Sequence, residues 1–200
     1  MKTNYNLIME NIINNLTDKP KLLLHACCGI CSLSVLEKLK NYFSITVLYY
    51  NPNIYPKEEY DLRLDVLKKV IQKTDANIQL METIYNEEEF NNIAAGYEEE
   101  KEGGSRCSRC YNLRLEKTAI IAKEKNFDYF TTTLSVSPYK NSEILNKIGK
   151  ALEKKYSVNY LYSDFKKKDG YKRSNELAKM YNLYRQDYCG CKYSFNEKKI

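Results

Sequence analysis

Short apolar runs alternate with longer amphipathic stretches along this chain, and the alternation predicts an α/β fold. The expected form is a single doubly wound, mostly parallel five-stranded sheet with helices on both faces, occupying residues 1–200 as one domain. Two further observations agree. No repeat, low-complexity tract or linker interrupts the 200 residues, a length that can bury a core without staples. Loops rich in Cys, Asn, Ser, Pro and Asp follow four of the strand-like runs, as expected where a parallel sheet gathers ligands beyond its carboxyl ends.

The elements are read in order. Leu22-Leu23-Leu24-His25-Ala26 predicts a first buried strand. Ser32 to Lys40 reads as a helix, with Leu33, Leu36 and Leu39 on one side. Ile45 to Tyr50 predicts a second strand, ended by Asn51-Pro52-Asn53. Pro56 followed by Glu58 and Glu59 opens a long helix, proline in the first turn and acids at the positive dipole end. Ile78 to Met81 is a weaker third strand. Glu87 to Glu102 reads as a polar helix closed by Gly103-Gly104, and Asn112 to Lys125 as the next helix. Tyr129 to Thr133 is a fourth strand, Glu143 to Lys154 a helix, Val158 to Tyr162 a fifth strand, and Asn175 to Met180 part of a late helix.

Met1-Lys2-Thr3-Asn4-Tyr5 leads into a polar amphipathic segment rather than an apolar signal region, and no apolar run approaches the roughly 20 residues of a membrane span. A cytoplasmic, reducing setting without membrane attachment is expected, where clustered cysteines serve metals or transient redox pairs. The net charge is +6. Lys166-Lys167-Lys168 and Lys172-Arg173 form basic segments suited to a polyanion, or else to an ordinary solvated face.

Seven cysteines fall into Cys27-Cys28-Gly29-Ile30-Cys31, Cys107-Ser108-Arg109-Cys110 and Cys189-Gly190-Cys191. Cys27 and Cys28 sit where a strand turns into a helix, whose free N–H groups favour thiolates. Cys107 and Cys110 are expected just before a helix, with Arg106 and Arg109 lowering their thiol pKa. Two pairs supply the four thiolates of a [4Fe–4S] cluster, or of structural zinc, or support thiol chemistry without metal. The glycine between Cys189 and Cys191 permits a tight, readily reduced disulfide, or a second metal site. Cys31 reads as a helix-packing thiol or a supporting ligand. His25, the one histidine, reads as a structural residue or a proton donor, and Asp164 and Asp187 are the carboxylates nearest these signals.

Six segments occur in order: His25-Ala26-Cys27-Cys28-Gly29, Tyr50-Asn51-Pro52-Asn53-Ile54, Arg106-Cys107-x-x-Cys110-Tyr111-x-Leu113-Arg114-Leu115, Thr131-Thr132-Thr133-Leu134-x-x-Ser137-Pro138-Tyr139-Lys140, Asp164-Phe165-Lys166-Lys167-x-x-Gly170 and Tyr184-Arg185-Gln186-x-Tyr188-Cys189-Gly190-Cys191. Together they closely resemble the QueH family of cobalamin-independent epoxyqueuosine reductases. The resemblance implies an adenine nucleotide α-hydrolase-like fold. It implies reduction of epoxyqueuosine at the wobble position of the tRNA anticodon to queuosine. By that similarity Cys27, Cys28, Cys107 and Cys110 hold a [4Fe–4S] cluster, and Cys189 with Cys191 is a redox-active disulfide pair.

Three spare cysteines, Cys31 among them, leave room for a second mononuclear metal, iron or zinc. Asp164 or His25 would then protonate the departing oxygen, with electrons from an unidentified donor. Two other classes compete: an ATP-dependent tRNA sulfur transferase and a zinc-stabilised RNA-binding module. The first needs a Ser/Gly-rich pyrophosphate loop where this chain has His25-Ala26-Cys27-Cys28-Gly29, with one glycine.

Overall fold

The computed structural model describes residues 3–75 and 77–198. The expectation drawn from Met1 and Lys2 lies outside the described residues. The chain runs α1 (Tyr5–Asn14), β1 (Lys21–His25), α2 (Gly29–Leu39), β2 (Ser44–Tyr49), α3 (Lys57–Thr74), β3 (Gln79–Glu82) and α4 (Glu87–Ala94). It continues through α5 (Ser105–Glu124), β4 (Tyr129–Thr132), a 3₁₀ turn (Thr133–Val136), α6 (Ser142–Tyr156), β5 (Asn159–Tyr160), α7 (Gly170–Met180) and α8 (Lys192–Lys198).

The five strands form one all-parallel sheet in the order β3-β2-β1-β4-β5. β1 is central: Leu22 pairs with Ile45 of β2 on one side and Tyr129 of β4 on the other. Successive side chains of a strand point to opposite faces. Leu22 and Leu24 therefore join the core under α1, α2, α3 and α7, whereas Leu23 joins that under α5 and α6. Burial on both faces is why β1 reads as an unbroken apolar run. The chain winds outward through β2 and β3, then returns to build β4 and β5 on the far side. The order reverses between β1 and β4, the position where open α/β sheets leave a crevice beyond the strand ends.

Several boundaries differ from expectation. α2 starts three residues early, at Gly29, because Cys28 already has the extended backbone of an N-cap. α4 stops at Ala94, and the acidic stretch beyond it is loop. Arg106 holds that loop by donating to the carbonyls of Tyr97 and Glu98, and Arg109 donates to the Ile93 carbonyl at the end of α4. α5 starts at Ser105, so Cys107 and Cys110 lie inside a helix rather than before it. β5 is only two residues long, and α8 was not foreseen. Among the described residues no helix is long and apolar enough to cross a membrane.

Candidate active site

Three loops meet at the reversal point. The Ala26 N–H donates to the Leu48 carbonyl, and the Asn51 side-chain amide donates to the Ala26 carbonyl at 2.8 Å, so the β2 loop clamps the end of β1. The Cys27 N–H donates to the Thr133 hydroxyl at 3.4 Å, bringing in the segment after β4. Cys28 caps α2 and Cys31 lies in the first turn, so the helical spacing returns Cys31 to its neighbours. The sulfurs of Cys27, Cys28 and Cys31 all lie within 4.8 Å of one another.

Contacts from Cys28 and Cys31, with the buried charge of Arg114, hold Cys27 well below the usual thiol range. The same Cys27 contact pushes Cys28 up to about 12 and Cys31 well above its ordinary value. One sulfur of the triangle thus takes the negative charge and its neighbours act as S–H donors. Gln186 reaches in from a distant segment, its amide nitrogen 2.9 Å from the Cys28 sulfur.

A second group forms around the start of α5. Cys107 and Cys110, one helical turn apart, line a small pocket with Asn53, Arg114, Cys189 and Cys191. Burial raises the Cys107 and Cys110 thiols, contrary to the expected lowering by Arg106 and Arg109. Those guanidiniums are turned away onto backbone carbonyls, and Arg106 stacks 4.2 Å from the Tyr193 ring centroid. Burial also pushes Cys191 up to about 12.

The Cys189-Gly190-Cys191 turn is pinned from three sides. Arg63, 2% exposed, donates to the carbonyls of Cys189 and Tyr188 while paired with Glu59 at 2.7 Å. The Tyr55 N–H donates to the Gly190 carbonyl at 2.7 Å, and the Cys189 N–H to the Ser194 hydroxyl at 2.9 Å. Gly190 has φ +125°, a left-handed backbone that only glycine enters without strain. Lys140, 8% exposed, places its ammonium 2.9 Å from the Cys189 sulfur and 3.1 Å from Glu102. Burial opposes that charge, but the Cys189 sulfur and Glu102 keep it, with Tyr111, charged well above the ordinary lysine range.

Arg114 joins the two groups. It is 3% exposed, and burial opposes its charge, yet Cys110, Cys27 and Cys189 together keep it protonated. It also lines both the four-cysteine pocket and a neighbouring open cleft of about 680 Å³ that contains Cys27, Cys31, Asp187 and Cys189. The described cysteines are all free thiols.

The donor set tests whether a soft metal group suits this place. Cys27, Cys28 and Cys31 form one close sulfur group and Cys107, Cys110, Cys189 and Cys191 line another, with Arg114 interacting with Cys27, Cys110 and Cys189. The side-chain oxygens of Asn51 and Asn53 are buried without hydrogen-bond partners. Thiolates favour soft metals and iron–sulfur centres, so the residues fit.

Other expected residues stand differently. His25 is fully buried, with Nδ1 2.9 Å from the Thr132 hydroxyl and Nε2 3.1 Å from the Tyr50 carbonyl. A carbonyl only accepts, so Nε2 carries the proton and Nδ1 accepts from Thr132. Burial first, and Arg114 second, lower its pKa to about 4, so the ring is neutral. Its two hydrogen bonds tie the end of β1 to Thr132 and to Tyr50. Asp164 is paired with Lys166 at 2.7 Å in an adjoining hollow, whereas Asp187 lines the cysteine cleft. The basic tract is partly matched by distant acids: Lys168 pairs with Glu10, and Arg173 with Glu37. Arg63, Glu102, Gln186 and Lys140 received no role from the sequence. Gln186 and Lys140 stood inside the quoted motifs, while Arg63 carried no signal.

A family model described as epoxyqueuosine reductase QueH matches residues 22–197. A curated epoxyqueuosine reductase QueH of Streptococcus pyogenes is 42% identical over 96% of this chain and 78% of its own length. The protein of that name from Staphylococcus epidermidis is 41% identical over 100% of this chain and 87% of its own. The Thermotoga maritima one is 34% identical over 89% and 92%. Among solved structures, the U34-tRNA thiolase NcsA from Methanococcus maripaludis with its [4Fe-4S] cluster superposes with TM-score 0.51 at 13% identity. It covers 95% of this chain and 67% of that chain, a likeness of fold.

Proposed function

Because the chain belongs to the QueH family of epoxyqueuosine reductases, we propose that its cysteine-lined crevice reduces epoxyqueuosine, at the wobble position of tRNA, to queuosine. The observation that supports this reading most is the sulfur triangle of Cys27, Cys28 and Cys31, linked through Arg114 to a pocket lined by the other four cysteines. The reaction breaks both C–O bonds of the epoxide, forms a C=C bond and releases the oxygen as water. It consumes two electrons and two protons. Oxidation of a dithiol to a disulfide yields that number of each, and Cys189 with Cys191 is the proposed pair.

We assign Cys27, Cys28, Cys107 and Cys110 as ligands of a [4Fe–4S] cluster. Bound there, the cluster would relay electrons singly from an external donor. Cys31, the third corner of the sulfur triangle, is spare for a second metal, iron or zinc. The chain's own residues do the remaining work. Arg114 offsets the negative charge that collects among the thiolates. Lys140 holds Cys189 through its ammonium and stands ready to steady negative charge on a departing oxygen. Asp164 or His25 is the proton donor expected from the sequence; Asp187 lines the cysteine cleft and is the carboxylate proposed here to pass protons. His25, neutral and doubly hydrogen-bonded, keeps β1, β2 and β4 in register. The cytoplasm is the proposed setting in which the enzyme meets tRNA.

The test is anaerobic incubation of iron- and sulfide-reconstituted protein and reductant with epoxyqueuosine-containing tRNA, followed by nucleoside mass analysis. The expected product lacks one oxygen atom. Unchanged epoxyqueuosine, with the protein brown and fully reduced, would refute the reading. A colourless protein that holds only zinc would favour the RNA-binding module instead.

A further inference from the structure

The cysteine cleft has a neighbour. A hollow of about 780 Å³, lined by the loop after the 3₁₀ turn, the start of α1 and Lys166 to Lys168, shares a wall with it. That wall is Tyr139 and Lys140. Lys140 is anchored inward on Cys189 and Glu102, and the Tyr139 N–H donates to the Ser137 hydroxyl. The backbone of the wall is therefore fixed while the Tyr139 ring is 77% exposed. A single exposed aromatic is ordinary on a protein surface. This one stands on the rim between the reaction cleft and a second cavity. A third, smaller hollow shares Lys167 and Lys168 with the second and adds Lys38 and Arg173. The three form a continuous path away from the cysteines, and it is basic along its outer part.

Resting on the reductase reading above, we propose that Tyr139 and the adjoining hollow form a subsite for the nucleotide next to the modified one. A wobble nucleotide placed in the cysteine cleft must send its phosphodiester-linked neighbour over the rim. There the ring offers a face on which any base stacks, the usual way single-stranded RNA loops are held. The strand then continues toward Lys166 to Lys168. Lys166 and Lys168 are already paired with Asp164 and Glu10, whereas Lys167 has no ion pair among the described residues. Stacking on Tyr139 thus gives most of the subsite affinity, and Lys167 adds one phosphate contact.

The experiment measures binding of an unmodified anticodon stem–loop RNA by fluorescence anisotropy over a salt series. Tyr139→Ala should weaken binding by about 5- to 150-fold, the range that alanine substitution costs a stacked base. Tyr139→Phe should restore it. Lys167→Glu should lower the salt slope of log K by about 0.7, the value for one single-strand phosphate contact. In turnover, Tyr139→Ala should reduce the ratio of kcat/KM for the stem–loop over free epoxyqueuosine nucleoside by the same factor, through KM. Equal RNA affinity of Tyr139→Ala and wild type, or an unaltered ratio, would overturn the subsite. Wild-type protein that reduces the nucleoside but binds no RNA would also overturn it and leave the activity standing. Tyr139-dependent RNA binding without any turnover would support the subsite while refuting the reductase reading.

Discussion

Gly190→Ala probes how tightly the Cys189–Cys191 turn is built. At φ +125° a non-glycine residue costs about 1–3 kcal/mol in backbone strain. The new Cβ would lie 2.9 Å from Arg63 Nη1 and 3.3 Å from the Ile54 side chain. Arg63 cannot swing freely, being 2% exposed, paired with Glu59 and stacked 5.1 Å from the Tyr188 ring centroid. Displacing it loses a charged hydrogen bond to the Cys189 carbonyl, worth about 1.5–3 kcal/mol. Together the two effects come to about 2.5–6 kcal/mol. At about 2–4 °C per kcal/mol for a chain of this size, Tm should fall by about 5–24 °C.

Gly96→Ala separates the two contributions. Gly96 has φ +79° with nothing within 4 Å of its new Cβ, so it carries backbone strain alone. Thermal unfolding by circular dichroism would compare the variants. Hydrogen exchange at the Tyr55 amide, which donates to Gly190, would report the turn directly. If Gly190→Ala melts with Gly96→Ala and protects Tyr55 as wild type does, the claim that Arg63 clamps this turn is wrong.

Other expectations follow from the same site. Cys27→Ala and Cys110→Ala should each abolish the brown colour and turnover, whereas Cys189→Ser should keep the colour and stop turnover; a normal cluster without Cys27 and Cys110 would refute the ligand assignment. Lys140→Met should slow iodoacetamide alkylation of Cys189 by about tenfold, since it removes an ammonium 2.9 Å from the sulfur; mass spectrometry would count against this if the rate were unaltered. His25 titrates near pH 4 when folded against about 6.5 unfolded, so the unfolded chain takes the proton first and stability falls as pH drops from 6.5 to 4. Urea titrations should show about 3 kcal/mol more loss across that window in wild type than in His25→Gln, and equal slopes would contradict the buried neutral ring.

Much of the fold was legible because parallel strands buried on both faces leave plain apolar signatures, as Leu22 to Leu24 do. The start of α5 was hidden, since Gly103-Gly104 and two arginines read as loop, and only the fold gives Arg106 carbonyls on the segment after α4 and Arg109 one at the end of α4. The grouping of cysteines was half legible. Cys28 and Cys31 meet through local helical spacing, but only tertiary docking brings Cys189 and Cys191 beside Cys107 and Cys110. Arg63 carried no local signal, and Arg114 and Lys140 stood in quoted motifs without a role, because charged residues are expected at the surface and nothing local marks a buried one. The basic tract was legible as charge, but not that Glu10 and Glu37, far away in sequence, would pair with Lys168 and Arg173.

The reach of Gln186 back to Cys28 sets an order on biogenesis. Synthesis proceeds from the amino end, so the thiols at 27, 28 and 31 emerge from the ribosome long before Gln186, Cys189 and Cys191 exist to cover them. Until that late segment docks, the sulfur triangle lacks the amide that reaches Cys28. The site is therefore completed only on a finished polypeptide.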